Sequence, residues 1–318
     1  VGAALAGDMT TMLAFRALQG LSAGVGLIVG RAVVRDCRQG DDAQRLMSQI
    51  SMIFGIAPAI APVIGGLLLG WSDWHGIFWF LALFGLVLLA LTAWGLPETH
   101  PPENRVPLHV ATLARDYGGM LASRKFRLLA LLGTANFGAL FLYIASAPAF
   151  VLDLLGLGEQ DFVWFFAPTI GGMMLGAFVS GRAAGRMSGQ RLVEWGFACC
   201  GVAAAYNIGY NYFTDSPTLP WAVLPTALGA FGIALVFPIV TLLILDMYPR
   251  QRGSASSMQA FVGLVSNAAI AGLLSPLVSH SGLALALAAA CFTAVGYALW
   301  RWYVSHSARY PDPIPDSD

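Results

Sequence analysis

Nine stretches of this chain are each long and apolar enough to cross a lipid bilayer as a helix: 12–34, 46–70, 76–96, 127–151, 162–186, 191–213, 219–246, 253–280 and 282–305. A bilayer core of about 30 Å takes about 20 helical residues to span. Inside it every backbone polar group must be satisfied within the protein, which leaves helices or closed barrels. These runs are too long and too evenly apolar for barrel strands, which alternate over about ten residues. Residues 1–6 read as the last turns of a further helix. Only 11% of the 318 residues are charged and 57% are apolar or aromatic, against about a quarter charged in soluble domains, so a water-soluble enzyme is excluded. The expected fold is an all-α polytopic membrane protein with nine complete transmembrane helices and a stub.

The basic residues orient it. With linkers assigned alternately to two sides, 16 of the 17 Lys and Arg residues fall on one side. They sit at or between Arg31 and Arg45, in the linker from Arg105 to Arg127, at Arg182, Arg186 and Arg191, at Arg250 and Arg252, and at Arg301 and Arg309. Basic loops stay in the cytoplasm, so that side and the C-terminus are expected to be cytoplasmic. The seventeenth, Arg16, lies inside the first full helix. The 17 acidic residues cancel the 17 basic ones, which removes a bulk electrostatic case for nucleic acid.

The one long linker, 97–126, carries Pro97, Pro101, Pro102 and Pro107. It divides the chain into 1–96, the remainder of an N-terminal bundle; 97–126, a cytoplasmic linker; 127–305, a six-helix bundle; and 306–318, a cytoplasmic tail. Six helices after the linker suggest six before it, so the chain is expected to lack about two and a half helices at its N-terminus. Two bundles around a central cavity is a transporter layout. The four cysteines and five histidines have neither a disulfide pattern nor metal-ligand spacing, and no phosphate-cradling loop pattern appears.

Particular motifs narrow the reading. Phe15-Arg16-Ala17-Leu18-Gln19-Gly20, Arg31-Ala32-Val33-Val34-Arg35-Asp36, and Gly55-Ile56-Ala57-Pro58-Ala59-Ile60-Ala61-Pro62-Val63-Ile64-Gly65-Gly66 resemble the fourth helix, its basic-acidic end and the antiporter motif of the fifth helix in the major facilitator superfamily. The likeness is to the drug:proton antiporters of the bicyclomycin-resistance (Bcr/CflA) family. Phe141 to Pro148 is similar to that family's seventh helix and Arg250 to Ser257 to its tenth-to-eleventh junction, while Gly181-Arg182-Ala183-Ala184-Gly185-Arg186 echoes its cytoplasmic loop motif. Ala57 and Ala61 stand where the antiporter motif usually has glycine. The resemblance implies helices four to twelve of twelve and a monomer in the bacterial inner membrane. Small hydrophobic drugs and protons would be its partners, and the proton gradient, not a cofactor, its energy source. The family's first helix, thought to carry the acidic proton carrier, has no counterpart here, so the chain is expected not to transport by itself.

Several residues are candidates for the chemistry. An arginine at mid-helix costs about 2.5–3.5 kcal/mol, so Arg16 should face protein or water, with Gln19 on nearly the same face, or else snorkel to the outer end. Gly55, Pro58, Pro62, Gly65 and Gly66 permit a kinked, closely packed helix. Asn136, Tyr143 and Ser146 share one side of their helix. With Phe165, Phe237, Gln259 and Asn267 they could line an aromatic cavity or simply join helices. No Asp or Glu lies near the middle of a complete span; Glu194 and Asp246 sit at basic ends, where ion pairs are expected. A sugar or amino-acid exporter and a non-transporting remnant remain alternatives.

Overall fold

The structure, a computed structural model, describes residues 1–99, 110–158, 161–214 and 216–309; within it the side chains of 54–59, 62, 63, 66, 67, 69, 70, 110, 112 and 307–309 lie outside the described set. A 3-10 turn, Gly2–Leu5, leads into α1 (Met9–Ala23) and α2 (Val25–Cys37), which meet at Gly24 and form one span. Asp8 starts α1 by accepting from the Thr11 amide at 2.8 Å, the side-chain cap that an unsatisfied first turn requires. Two long helices follow, α3 (Gly40–Trp71) and α4 (Trp74–Gly95). The short α5 (Val110–Ala122) lies in the expected linker, whose residues 100–109 are outside the described set.

The second group comprises α6 (Arg124–Ala145), α7 (Val163–Ala183), α8 (Gly189–Phe213), α9 (Leu224–Met247), α10 (Arg252–Ala269), the single turn α11 (Ser275–Val278) and α12 (Gly282–Arg309). Two π-helical segments interrupt it, Ala149–Leu154 beyond α6 and Ile270–Leu274 between α10 and α11. Of the expected tail, residues 310–318 lie outside the described set. Helices α6, α8, α9 and α12 enclose the main core, in which Phe126, Leu129, Leu132, Val193, Val236, Val240, Ile244 and Leu245 are buried. Close approach is built from small residues: a Cβ at Gly232 would lie 2.5 Å from the Gly196 carbonyl oxygen, and one at Gly196 would lie 2.8 Å from that of Gly232. Glycine on both helices lets the α8 and α9 backbones touch.

The expected count of nine complete spans is corrected. Among the described residues seven helices are long and apolar enough to cross a membrane: Met9–Cys37, Trp74–Gly95, Arg124–Ala145, Val163–Ala183, Leu224–Met247, Arg252–Val278 and Gly282–His306. The segments at 46–70 and 191–213 are helical, within α3 and α8, but are not among them. The polar content of α8 explains its absence, since Glu194, Tyr206, Asn207, Tyr210, Asn211 and Tyr212 dilute its apolar residues. Helix α3 opens on Asp41, Asp42, Gln44 and Arg45, and much of its apolar half lies outside the described side chains. The expected stub is the 3-10 turn, not the end of an α-helix.

Candidate functional site

The two groups of helices meet along α2 and α3 on one side and α7, α9 and α10 on the other. At the basic end of this seam, two adjacent residues of α2 reach across in opposite senses. Arg35 Nε donates to Asp246 at the end of α9, and Asp36 accepts from Arg252 at the start of α10. The second pair is the better shielded, with side chains 19% and 14% exposed against 15% and 41% for the first. Thr99 also donates to Asp36, at 3.5 Å. Gln251 ties this corner to α5 by donating to Asp116 at 2.9 Å.

A second set of contacts joins α3 to α7. Buried Gln44 donates to the Ser180 carbonyl at 2.9 Å, Ser48 lies 3.2 Å from the Ser180 hydroxyl, and Arg45 donates to the Ala184 carbonyl at 3.3 Å. Gly181 packs on Ser48, with room for a Cβ 3.5 Å from it. At the neighbouring bend, Gly185 has a positive φ of 78° and lies beside Asp41, so a side chain there would meet both strain and the carboxylate. Arg182 lies over the ring of Phe178 in its own helix at 4.8 Å, and Arg186 is exposed.

Arg31 and Phe237 are brought together across the seam. The Arg31 guanidinium stands 5.1 Å from the Phe237 ring centroid and the residue is only 8% exposed, with no acidic partner among the described residues. Phe237 also tilts against Phe137 at 6.5 Å. A ring face attracts a cation but replaces only part of its lost hydration, so this face of the seam holds a charge that gains when water reaches it.

The remaining candidates are distributed. Arg16 is exposed on α1, donates to Gln19 at 2.9 Å and lies 5.9 Å from the Phe78 ring. Gln19 and Phe78 line a groove of about 200 Å³ shared with the N-terminal turn. Backbone helicity runs through the antiporter-like stretch, but the side chains of Pro58 and Pro62, and Gly55 and Gly66, lie outside the described set; a Cβ at Gly65 would meet nothing within 4 Å. Asn136 donates to the Ile233 carbonyl at 3.5 Å, Tyr143 accepts from Asn207 at 2.7 Å, and Ser146 pairs with Ser275 at 2.7 Å, all three inside the second group. Phe165 is fully buried against Phe150 and Phe166. Gln259 donates to Thr241 at 3.2 Å while its own oxygen is buried without a partner, and Asn267 is half-buried. A cavity of about 40 Å³, lined by Tyr143, Cys200, Asn207, Thr226 and Thr293 among others, lies within this group.

The ion pairs expected at the basic ends are present, Asp246 with Arg35 and Glu194 with Arg301 at 3.8 Å. The sequence reading missed Gln44, Ser48 and Ser180, whose partners lie more than 130 positions away. It also missed Asn207 and Ser275; two of the five Asn and Tyr residues that dilute α8, Asn207 and Asn211, bond to each other at 2.9 Å, and this was the available signal.

A set of apolar helices, joined to a second set by ion pairs at the basic end, defines a multi-pass membrane protein. The chain belongs to the major facilitator superfamily, whose family model matches residues 1–271. It is 30% identical over 277 residues to the uncharacterized MFS-type transporter YdgK of Bacillus subtilis, an alignment covering 86% of this chain and 67% of that protein. It is 26% identical over 268 residues to a bicyclomycin resistance protein homolog of Haemophilus influenzae, covering 82% and 65%. To the multidrug resistance protein MdtM of Escherichia coli it is 26% identical over 250 residues, covering 79% and 60%. The chain thus spans between 60% and 67% of the length of these relatives. The superfamily is one of transporters, not enzymes, and among the described residues no group of three or more His, Cys, Asp or Glu could hold a metal ion.

Proposed function

We propose that the protein is a proton-coupled multidrug efflux transporter of the bacterial inner membrane, working by alternating access, with its basic side and C-terminus in the cytoplasm. The observation that carries this reading is the reciprocal pairing of Arg35 with Asp246 and of Asp36 with Arg252 across the two helix groups. Alternating access needs a closure that holds at one face and still lets go. Partly exposed ion pairs supply about 1 kcal/mol each, whereas one proton moving through 100 mV releases about 2.3 kcal/mol. A single proton therefore outweighs a single pair, and Arg31, buried without an acidic partner among the described residues, favours reopening.

Support for drugs as the substrate class comes from the names of the bicyclomycin- and multidrug-resistance relatives and from the aromatic pair Phe137 and Phe237 beside the seam. On this reading Arg16 and Gln19 belong to the proton-linked charge network. The antiporter-like stretch Gly55, Pro58, Pro62, Gly65 and Gly66 seals the bundles, and the 318 residues alone confer no efflux. The test is a drug-susceptibility assay in cells carrying this chain or a form extended at its N-terminus to the relatives' length. Protection is expected from the extended form only, and it should vanish when the proton gradient is collapsed or Arg16→Gln is introduced. Protection that survives collapse of the gradient would overturn proton coupling, and protection by the short form would overturn the dependence on further helices.

A further inference from the structure

We infer that the cavity between α6, α8, α9 and α12 binds an ordered water. It measures about 40 Å³, and a buried water needs roughly 10–15 Å³ for its centre, so the space is ample. Much of its wall is alanine, glycine and aliphatic side chain, including Ala139, Ala203, Gly229 and Ala230, and a cavity of that kind alone stays dry. This one differs because it is also lined by hydrogen-bonding groups whose roles their other partners have already fixed.

The donor comes from a relay that starts near the C-terminal end of α8. Asn211 donates to Asn207 Oδ1 at 2.9 Å, and Asn207 donates in turn to the Tyr143 hydroxyl oxygen at 2.7 Å. Each step uses an acceptor and passes on a donor. Tyr143 therefore ends the relay with its own O–H, which no group among the described residues accepts. At 3% exposed it lies too deep for bulk solvent to accept that proton. The acceptors stand elsewhere on the wall. Thr226 donates its hydroxyl proton to the Val223 carbonyl at 2.7 Å, and Thr293 donates to the Ala289 carbonyl at 3.3 Å, so each has only lone pairs left to offer. The Thr169 hydroxyl beside Thr226 is committed likewise, to the Phe165 carbonyl at 2.7 Å. One donor and two acceptors are the complement of a water that accepts from Tyr143 and donates to Thr226 and Thr293; roughly three bonds are usual for a buried water. A ligand that only accepts would leave the threonines unmatched, and one that only donates would leave the Tyr143 proton bare, at a cost. Bound there, the water joins α6 to α9 and α12 across the gap between them.

The experiment generates hydroxyl radicals with brief X-ray pulses on the chain in detergent and reads oxygen uptake residue by residue by mass spectrometry. Radicals form where water is, so a buried aromatic ring takes up oxygen only beside a bound water. Tyr143 is expected to be labelled despite its burial, whereas Phe126, 0% exposed in the main core, is not. Ala203→Val, which puts two methyl groups in the water's place, should abolish the label at Tyr143. Thr293→Val, which keeps the shape and removes one acceptor, should lower it severalfold. Tyr212, 68% exposed, serves as the dose reference in all three proteins. Labelling of Tyr143 no greater than that of Phe126 would mean a dry cavity and overturn the proposal. A label that survives Ala203→Val would overturn it too, by assigning the oxygen to bulk solvent. Should Ala203→Val fail to fold, the ratio of Tyr143 to Phe126 labelling in the unaltered chain still decides.

Discussion

Helices α4 and α9 have nearly the same mean hydropathy and opposite surroundings. Trp74–Gly95 has 0% of its apolar window buried inside the protein, whereas Leu224–Met247 has 67% buried. Hydropathy therefore tells a helix to leave water and says nothing about whether it meets lipid or protein. What separates the two is the placement of small residues against a partner. On α9, Gly232 faces Gly196, and the neighbouring Ala227 and Phe231 carbonyls lie against Gly172 and Gly176 of α7; on α4, a Cβ at Gly85 or Gly95 would meet nothing within 4 Å. Without an apolar driving force between helices in lipid, such close packing is what holds them together.

The largest effect expected from this contrast follows Gly196→Leu. The new side chain must displace the Gly232 carbonyl or Val236, and overpacking of this kind costs about 3 kcal/mol. Gly85→Leu, an equal change on α4, should cost less than about 0.5 kcal/mol. Thermal melts of both variants in the same detergent check this, and comparable losses would break the distinction. Next comes the Asp36–Arg252 pair, where Asp36→Asn should cost about 2 kcal/mol, as for a partly shielded hydrogen bond to a charged group. The charge-reversed double variant Asp36→Arg, Arg252→Asp should recover part of it in a double-mutant cycle. A smaller loss, about 1 kcal/mol, is expected for Tyr143→Phe, which leaves the buried Asn207 amide without its 2.7 Å acceptor. Equilibrium unfolding in mixed micelles measures it, and no change would place the bond among those that only register a packed interface.

The smallest effect lies at the other end of the molecule, where Asp73 caps α4. The hydrogen bond from the His75 side chain is the main cause that holds the Asp73 carboxyl below its ordinary value. A carboxyl depressed on folding contributes order above its unfolded value and loses it as pH falls through the lower folded one. Amide exchange at His75 and Gly76 should therefore accelerate only in acid below the usual carboxylate range. Asp73→Asn should abolish that pH dependence.

Much of this architecture was legible because bilayer crossing is additive: each residue contributes to hydropathy wherever its partners are. The positions of α4, α6, α7, α9 and α12 follow from that sum, as do the clusters of arginine that supplied Asp246 and Glu194 with partners. At α8 the reading overcounted: polar residues such as Asn207 and Asn211, the second donating to the first at 2.9 Å, keep the segment at 191–213 out of the seven spans. It was also silent on pairing. Asp36 and Arg252 are 216 positions apart, and nothing in either segment names the other. The same limit applied to Asn136, Tyr143 and Ser146. Their shared helix face was visible, but whether that face bonded to neighbouring helices depended on Ile233, Asn207 and Ser275, which lie on other segments.

The π-helical turns at Ala149–Leu154 and Ile270–Leu274 have a consequence for how this chain tolerates change. Each turn accommodates one residue more than regular winding would, so that residue is taken up without the rotation of about 100° that a residue added to regular helix imposes on everything beyond it. Deleting a single amino acid from Ile270–Leu274 would therefore leave a helix of ordinary pitch with Ser275 still facing Ser146. A change of length by one residue at these two places is absorbed locally, and both ends of each helix stay seated.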